Sequence, residues 1–226
     1  MCGVIATIIS SPTDQEFVTL ENVFLQSKIR GLHATGVSYI QNGKIETVKE
    51  PIDAKEFLSK HNLRDFINED GNLYLIGHTR YSTSDLRFNQ PFSSERFSIV
   101  HNGVISQESP DTWQNKYNLL TETANDSELI LSALEEGKEP AKFFTNASFS
   151  MCVLTKEKSI RCIRNEYRPL HYATIGRGVI FASTEDILRR SGLTSIQKSG
   201  KLIEYTIRKD SLSNEKIMER NIDDLQ

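Results

Sequence analysis

No stretch of this 226-residue chain approaches the roughly twenty consecutive apolar residues that a membrane-spanning helix needs. Neither sign of charge predominates: 27 basic residues stand against 30 acidic ones, a net charge of −3. That balance supplies no general attraction to nucleic acid or to an anionic membrane, so neither is expected as a partner. Cysteine is scarce, with three residues at positions 2, 152 and 162. None forms a Cys-x-x-Cys pair or sits at metal-ligand spacing, so neither a disulfide framework nor a metal centre is expected. Cys152 and Cys162 read as half-buried packing residues in strands. The N-terminus lacks the charged segment, apolar run and cleavage site of a secretory leader, which points to a cytoplasmic protein. Linkers, internal repeats and low-complexity stretches are missing as well, so nothing divides the chain into separate domains.

What stands out is the second residue. The chain opens Met1-Cys2-Gly3-Val4-Ile5-Ala6. If Met1 is removed, Cys2 carries a thiol and a free α-amine on one residue. A thiol attacks as its thiolate, with a reference pKa of about 8.5, and an α-amine titrates near 7.7–8.0. About a tenth of the amine is neutral at pH 7, so one residue supplies both nucleophile and general base. The plainer reading is a small apolar residue at the start of a buried strand.

Residues 4–10 are β-branched and apolar, as in a buried strand, and Pro12 ends them. Thr13 or Asp14 then caps a helix reaching Arg30, with Phe17, Leu20, Val23, Phe24 and Ile29 on one face. Strands at 36–40 and 44–48 flank Asn42-Gly43, the dipeptide suited to a tight hairpin because both positions take positive φ. A short helix follows at 53–62, strands at 73–79 and 97–101, and a helix at 126–136 stopped by Gly137. Further strands are expected at 149–155, 159–163, 170–175, 178–182 and 202–207, with a helix at 183–190. Hairpin-linked strands with scattered helices indicate an antiparallel α+β layered domain. The polar stretch after Asp210 reads as a loosely held tail, residues 211–226.

Five segments are too polar and turn-rich for core packing. They are Arg30-Gly31-Leu32-His33-Ala34-Thr35-Gly36, Gly77-His78-Thr79-Arg80-Tyr81-Ser82-Thr83, Asn89-Gln90-Pro91-Phe92, His101-Asn102-Gly103, and Asn125-Asp126-Ser127-Glu128. Behind a terminal cysteine and in this order, they resemble the class II glutamine amidotransferase domain, the N-terminal-nucleophile family. That family includes the glutaminase halves of glucosamine-6-phosphate synthase and of glutamine phosphoribosylpyrophosphate amidotransferase. Arg168-Pro169-Leu170 and Phe181-Ala182-Ser183-Thr184-Glu185 extend the resemblance to about Tyr205. It implies a four-layer αββα sandwich of two stacked antiparallel sheets, with residues 2–210 as the glutaminase domain and no cofactor.

The resemblance also implies roles. Cys2 attacks the side-chain amide of glutamine, its α-amine relays the proton to the departing ammonia, and water cleaves the thioester. The Asn102 side chain and the Gly103 N–H form the oxyanion hole. Arg80 grips the α-carboxylate and Asp126 the α-ammonium, Tyr81 and Thr83 line the glutamine pocket, and Arg30 lies near the nucleophile. Taken singly, Arg80 reads as a surface ion-pair partner, Asp126 as a helix N-cap and Asn102-Gly103 as a hairpin turn. His78 and His101 read as structural hydrogen-bonding residues. The chain departs from the pattern in two places: Leu32-His33-Ala34-Thr35 replaces the Tyr-Asp-Ser of glucosamine-type enzymes, and Ser84 replaces a histidine. Asn89-Gln90-Pro91-Phe92 is closer to the phosphoribosylpyrophosphate type.

The stretch beyond the last family-like strand is too short for a second catalytic domain. A detached glutaminase that passes ammonia to a separate acceptor synthase is therefore expected, homo-oligomeric or not. The alternatives are a standalone γ-glutamyl amide hydrolase and a catalytically silent scaffold. Loss of Cys2, Asn102 or Gly103 would indicate the last of these, and all three are present.

Overall fold

The structure, a computed structural model, describes residues 2–81, 89–209 and 215–224. Strand β1 (Gly3–Ser10) leads through helix α1 (Asp14–Ser27) to the hairpin β2 (Ala34–Gln41) and β3 (Lys44–Glu50). Helix α2 (Ala54–Lys60) and strand β4 (Asn72–Arg80) follow, then β5 (Phe92–Ser93) and β6 (Phe97–Val104). Helices α3 (Trp113–Tyr117), α4 (Glu128–Glu135) and α5 (Pro140–Phe143) precede the meander β7 (Ser148–Thr155) and β8 (Ser159–Arg164). Strands β9 (His171–Ile175) and β10 (Gly178–Ala182), helix α6 (Glu185–Arg190), and strands β11 (Gln197–Lys198), β12 (Ile203–Lys209) and β13 (Glu215–Asn221) complete the order. Among the described residues no helix is long and apolar enough to cross a membrane.

Two antiparallel sheets result, ordered β11-β9-β10-β1-β4-β2-β3 and β13-β12-β8-β7-β6-β5. Central β1 explains why its sequence is apolar throughout instead of alternating. Ile5 and Ile9 face the layer of α1, α2 and α6, whereas Val4, Ala6 and Ile8 face the second sheet. The outer face of the second sheet packs Ile99, Phe149 and Met151 against Leu129, Ile130 and Ala133 of α4. The layers are therefore helix, sheet, sheet and helix, the αββα sandwich the resemblance implies. Local chemistry agrees with the elements. The Thr13 N–H donates to Glu16 Oε2 at 2.5 Å, closing the start of α1, and Asn42 and Gly43 take φ of 50° and 69° at the β2–β3 turn.

Three local expectations need correction. Cys152 and Cys162 are fully buried, not half-buried: they are free thiols directly opposed across β7 and β8, between the two sheets. Asn102 and Gly103 form no turn, because β6 continues to Val104 and pairs Asn102 with Ser150 and Gly103 with Phe149. The polar stretch after Asp210 is not loose throughout: β13 pairs with β12 from Ile203–Asn221 to Lys209–Glu215, and Ile222 beyond it is buried.

A buried carboxylate ties β13 in place. Glu204 on β12 is 1% exposed, accepts hydrogen bonds from Arg161, and receives Arg220 Nη2 of β13 at 2.5 Å. Burial pushes the Glu204 carboxyl up, but the two guanidiniums outweigh it and hold the group below the ordinary carboxylate value. A depressed acid stabilises the fold above its unfolded pKa, and that contribution fades as pH falls through the folded value. Glu204→Gln is therefore expected to lose about 1.5–3 kcal/mol at pH 7. In urea unfolding the gap from wild type should close on acidification below about pH 4; a gap independent of pH would contradict this role.

Candidate active site

The two sheets bring Cys2 and the polar segments to one end of the sandwich. β1 pairs antiparallel with β4, Gly3 opposite Thr79 and Val4 opposite His78, which sets Cys2 beside the end of β4 at Arg80. The second sheet supplies Asn102 from β6. Cys2 N donates to Asn102 Oδ1 at 3.0 Å, and Arg30 Nε donates to the Cys2 carbonyl at 3.3 Å. With its oxygen turned to the cysteine nitrogen, Asn102 presents Nδ2 elsewhere, and that donor is buried with no partner. Gly103, next along the strand, sits at φ +153°, and a Cβ there would lie 1.8 Å from the Ser148 carbonyl oxygen. No other residue allows this approach of the backbone.

A cavity of about 470 Å³ opens on these groups, lined by Cys2, Asn102, Gly103, Arg80, Tyr81 and Asp126 among others. That is an ordinary size for a small-ligand site. Arg80 is 7% exposed, so it is not a surface residue, and its Nη1 donates to Asn89 Oδ1 at 3.0 Å. Asp126 is not the N-cap of α4, a position held by Ser127. Its Oδ2 accepts from the N–H groups of Ile105 and Ser106 at 2.6 and 3.3 Å, fixing the chain just beyond Gly103. Tyr81 stands at the rim, half-exposed, its ring centroid 5.0 Å from that of His33. Arg30 touches the cysteine backbone from outside the cavity lining. Thr83 lies outside the described residues.

Beneath the cavity is a network of hydrogen bonds around His101. The His101 N–H donates to Gln90 Oε1 at 2.6 Å, so Gln90 Nε2 is left to donate to the His101 carbonyl and to Ser127 Oγ, at 3.1 and 3.0 Å. Ser127 Oγ accepts there and also bonds His101 Nδ1 at 2.9 Å. Burial pushes the His101 pKa down, which keeps the ring neutral near pH 7. His78 is pushed down to about 3, chiefly by burial, with Arg80 and His101 adding to the effect. An imidazole of that pKa is a poor base at neutral pH. Neither histidine is a charge carrier at this site near pH 7. Gln90 clamps the backbone immediately before Asn102, and Ser127 braces the Gln90 amide and the His101 ring, roles the sequence motifs contain without revealing.

A larger hollow of about 780 Å³ lies beside Lys49 and Glu128. Two of its charged groups are committed to the chain itself: Lys49 Nζ donates to the Asn89 and Pro91 carbonyls at 2.8 and 3.0 Å, and Glu128 accepts from the Glu122 and Thr123 N–H groups, both at 2.8 Å. Among the described residues no three or more His, Cys, Asp or Glu gather to hold a metal ion.

Residues 65–226 match the glutamine amidotransferase domain family. This chain belongs to that family. Its two-sheet architecture is that of the class II, N-terminal-nucleophile branch. Among curated proteins, the domain is 29% identical over 155 residues to glutamine–fructose-6-phosphate aminotransferase (isomerizing) of Bartonella henselae, covering 62% of this chain and 23% of that protein. It is 24% identical over 217 residues to 7-cyano-7-deazaguanine synthase 2 of Sulfurisphaera tokodaii, covering 88% of this chain and 46% of that one. In structure it superimposes on the glutamine phosphoribosylpyrophosphate amidotransferase of B. subtilis, solved with ADP and GMP. The TM-score there is 0.71 at 15% identity, over 98% of this chain and 49% of the other, a likeness of fold. The amidotransferase domain thus spans less than half the length of each of these relatives.

Proposed function

We propose that this amidotransferase domain hydrolyses the side-chain amide of glutamine through a thioester on Cys2 and passes the ammonia to a separate acceptor synthase. The observation that carries this reading is the 3.0 Å bond from Cys2 N to Asn102 Oδ1, which leaves Asn102 Nδ2 an unpaired donor beside the Gly103 backbone. An unpaired buried donor costs about 1–3 kcal/mol, and an oxyanion accepting from it turns that cost into transition-state stabilisation.

With Met1 removed, the same nitrogen is an α-amine. It takes the thiol proton as sulfur attacks the amide carbon. The carbonyl oxygen becomes an oxyanion held by Asn102 Nδ2 and the Gly103 N–H. The carbon–nitrogen bond then breaks, and the proton on the amine leaves with the departing nitrogen as ammonia. Water, deprotonated by the same amine, opens the thioester to release glutamate and restore the thiol. The low pKa of His78 makes it a poor base near pH 7, and His101 Nδ1 is engaged with Ser127 Oγ, which supports the amine in that role. Arg30 holds the Cys2 carbonyl and with it the nucleophile. The unit bearing this chemistry runs from Cys2 to about residue 210, with β13 completing its second sheet.

Ammonia is protonated and lost in water, so a docked acceptor with a shielded path is the fitting partner. The relatives named as an aminotransferase and a synthase are of that kind, and their greater length matches a second functional unit. Arg80 at the α-carboxylate and Asp126 at the α-ammonium select a free amino-acid end, and Tyr81 at the rim adds to that wall of the pocket. Arg80→Ala is accordingly expected to raise KM for glutamine roughly 10- to 100-fold, the worth of one charged hydrogen-bonding contact. Hydrolysis of a primary amide lacking the α-carboxylate should change by less than about threefold. Equal losses on both substrates would argue against a carboxylate clamp.

A further inference from the structure

Arg168 reaches the cavity from the connection between β8 and β9, whereas Arg30 follows α1 and Arg80 ends β4. Its neighbours are occupied elsewhere. Arg164 donates to the Ser199 and Asn165 carbonyls at 2.8 and 3.1 Å, and Glu166 pairs with Lys201. Arg168 itself is half-buried, its Nε is buried without a hydrogen-bond partner, and among the described residues no carboxylate pairs with it. Its charge is close enough to Arg30, which bonds the Cys2 carbonyl, to disfavour the Arg30 cation. The cavity carboxylates are engaged elsewhere: Asp126 is bonded through Oδ2 to the Ile105 and Ser106 N–H groups, and Glu108 is paired with Lys116 at 2.5 Å. His78 and His101 are neutral near pH 7. Among the described residues, then, the Arg168 charge stands without an ion-pair partner in the wall of the cavity that Cys2 and Asn102 line, where the proposed chemistry makes an anion. A cation fixed in a partly dry wall stabilises such an anion without reorganising.

We propose that Arg168 is a positioning residue of this site: its guanidinium, paired with no carboxylate among the described residues, favours negative charge as it develops on the Cys2 sulfur and then on the attacked carbonyl oxygen. This rests on the assignment of Cys2 as nucleophile, and no motif role assigned to the chain includes it.

The test uses full-length protein lacking Met1, with Arg168→Gln and Arg168→Lys. Alkylation of Cys2 by iodoacetamide is followed by mass of the N-terminal peptide as a function of pH, without substrate, alongside kcat and KM for glutamine. In Arg168→Gln the alkylation midpoint should move up by about 0.5–1 pH unit. Its kcat should fall roughly 5- to 30-fold with KM changed less than about threefold. Arg168→Lys, which keeps the charge, should recover at least half of the midpoint shift. An unmoved midpoint in Arg168→Gln overturns the proposal, as does a rise in KM at constant kcat, which would make Arg168 a substrate-binding contact. If wild type alkylates but cleaves no glutamine, the glutaminase reading fails while the alkylation arm still decides the role of Arg168.

Discussion

Cys2→Ala is expected to lower glutamate release from glutamine by at least about 10³-fold, the scale on which removing a covalent nucleophile acts. The loss should lie in kcat. The Cys2 backbone makes the contacts that fix this end of the chain, its nitrogen to Asn102 and its carbonyl to Arg30, and alanine keeps both. The variant should therefore fold and bind glutamine with little change. The two other thiols cannot substitute, since Cys152 and Cys162 are fully buried between the sheets and burial pushes the Cys162 thiol well up. Measuring kcat and a glutamine dissociation constant on the same preparation separates chemistry from folding. Turnover that survives in Cys2→Ala would exclude the thioester route.

Asn102→Ala is expected to cost about 10²–10³ in kcat, because a single oxyanion donor is worth that much. The substitution removes Nδ2, the donor toward the oxyanion, and Oδ1, which holds the Cys2 nitrogen at 3.0 Å. Asn102→Asp separates the two functions. It keeps an acceptor for the nitrogen but replaces the donor with negative charge beside a developing anion, so its kcat should fall at least as far as that of Asn102→Ala. Recovery of activity in Asn102→Asp would mean that Asn102 serves only to hold the N-terminus. A rise in KM with kcat unchanged would place Asn102 in ground-state binding instead.

Local chemistry was readable wherever it depends on neighbours in sequence. Asn42-Gly43 announces its turn through the φ both residues adopt, and the apolar run of residues 4–10 announces a strand buried on both faces. Asn102-Gly103, which taken alone reads as a turn, is kept extended by the pairing of β6 with β7. The connection that follows runs from residue 105 to 147 and holds the short helices α3 and α5, whose few residues give no helical period to detect. β13 was illegible for a related reason. Its alternation is mostly charged, and what secures it is Glu204 and Arg161 on other strands.

The site divides the same way. Cys2, Arg80, Asn102, Gly103 and Asp126 could be named as residue types that amide hydrolysis needs, and the fold brings all five to one cavity. Gln90, Ser127 and Arg168 were present in the same motifs but carried no role. A glutamine that brackets the backbone of a histidine 11 positions away is a fact of sheet geometry, not of spacing. An arginine without a partner is recognisable only when its surroundings are known.

The N-terminal peptide of the working enzyme tests the central claim most directly. Protein quenched in acid during glutamine turnover should yield a peptide that begins at Cys2, lacks Met1, and carries the mass of one γ-glutamyl group, lost on standing with water. Active enzyme that retains Met1, or a γ-glutamyl adduct on any residue other than Cys2, would contradict it.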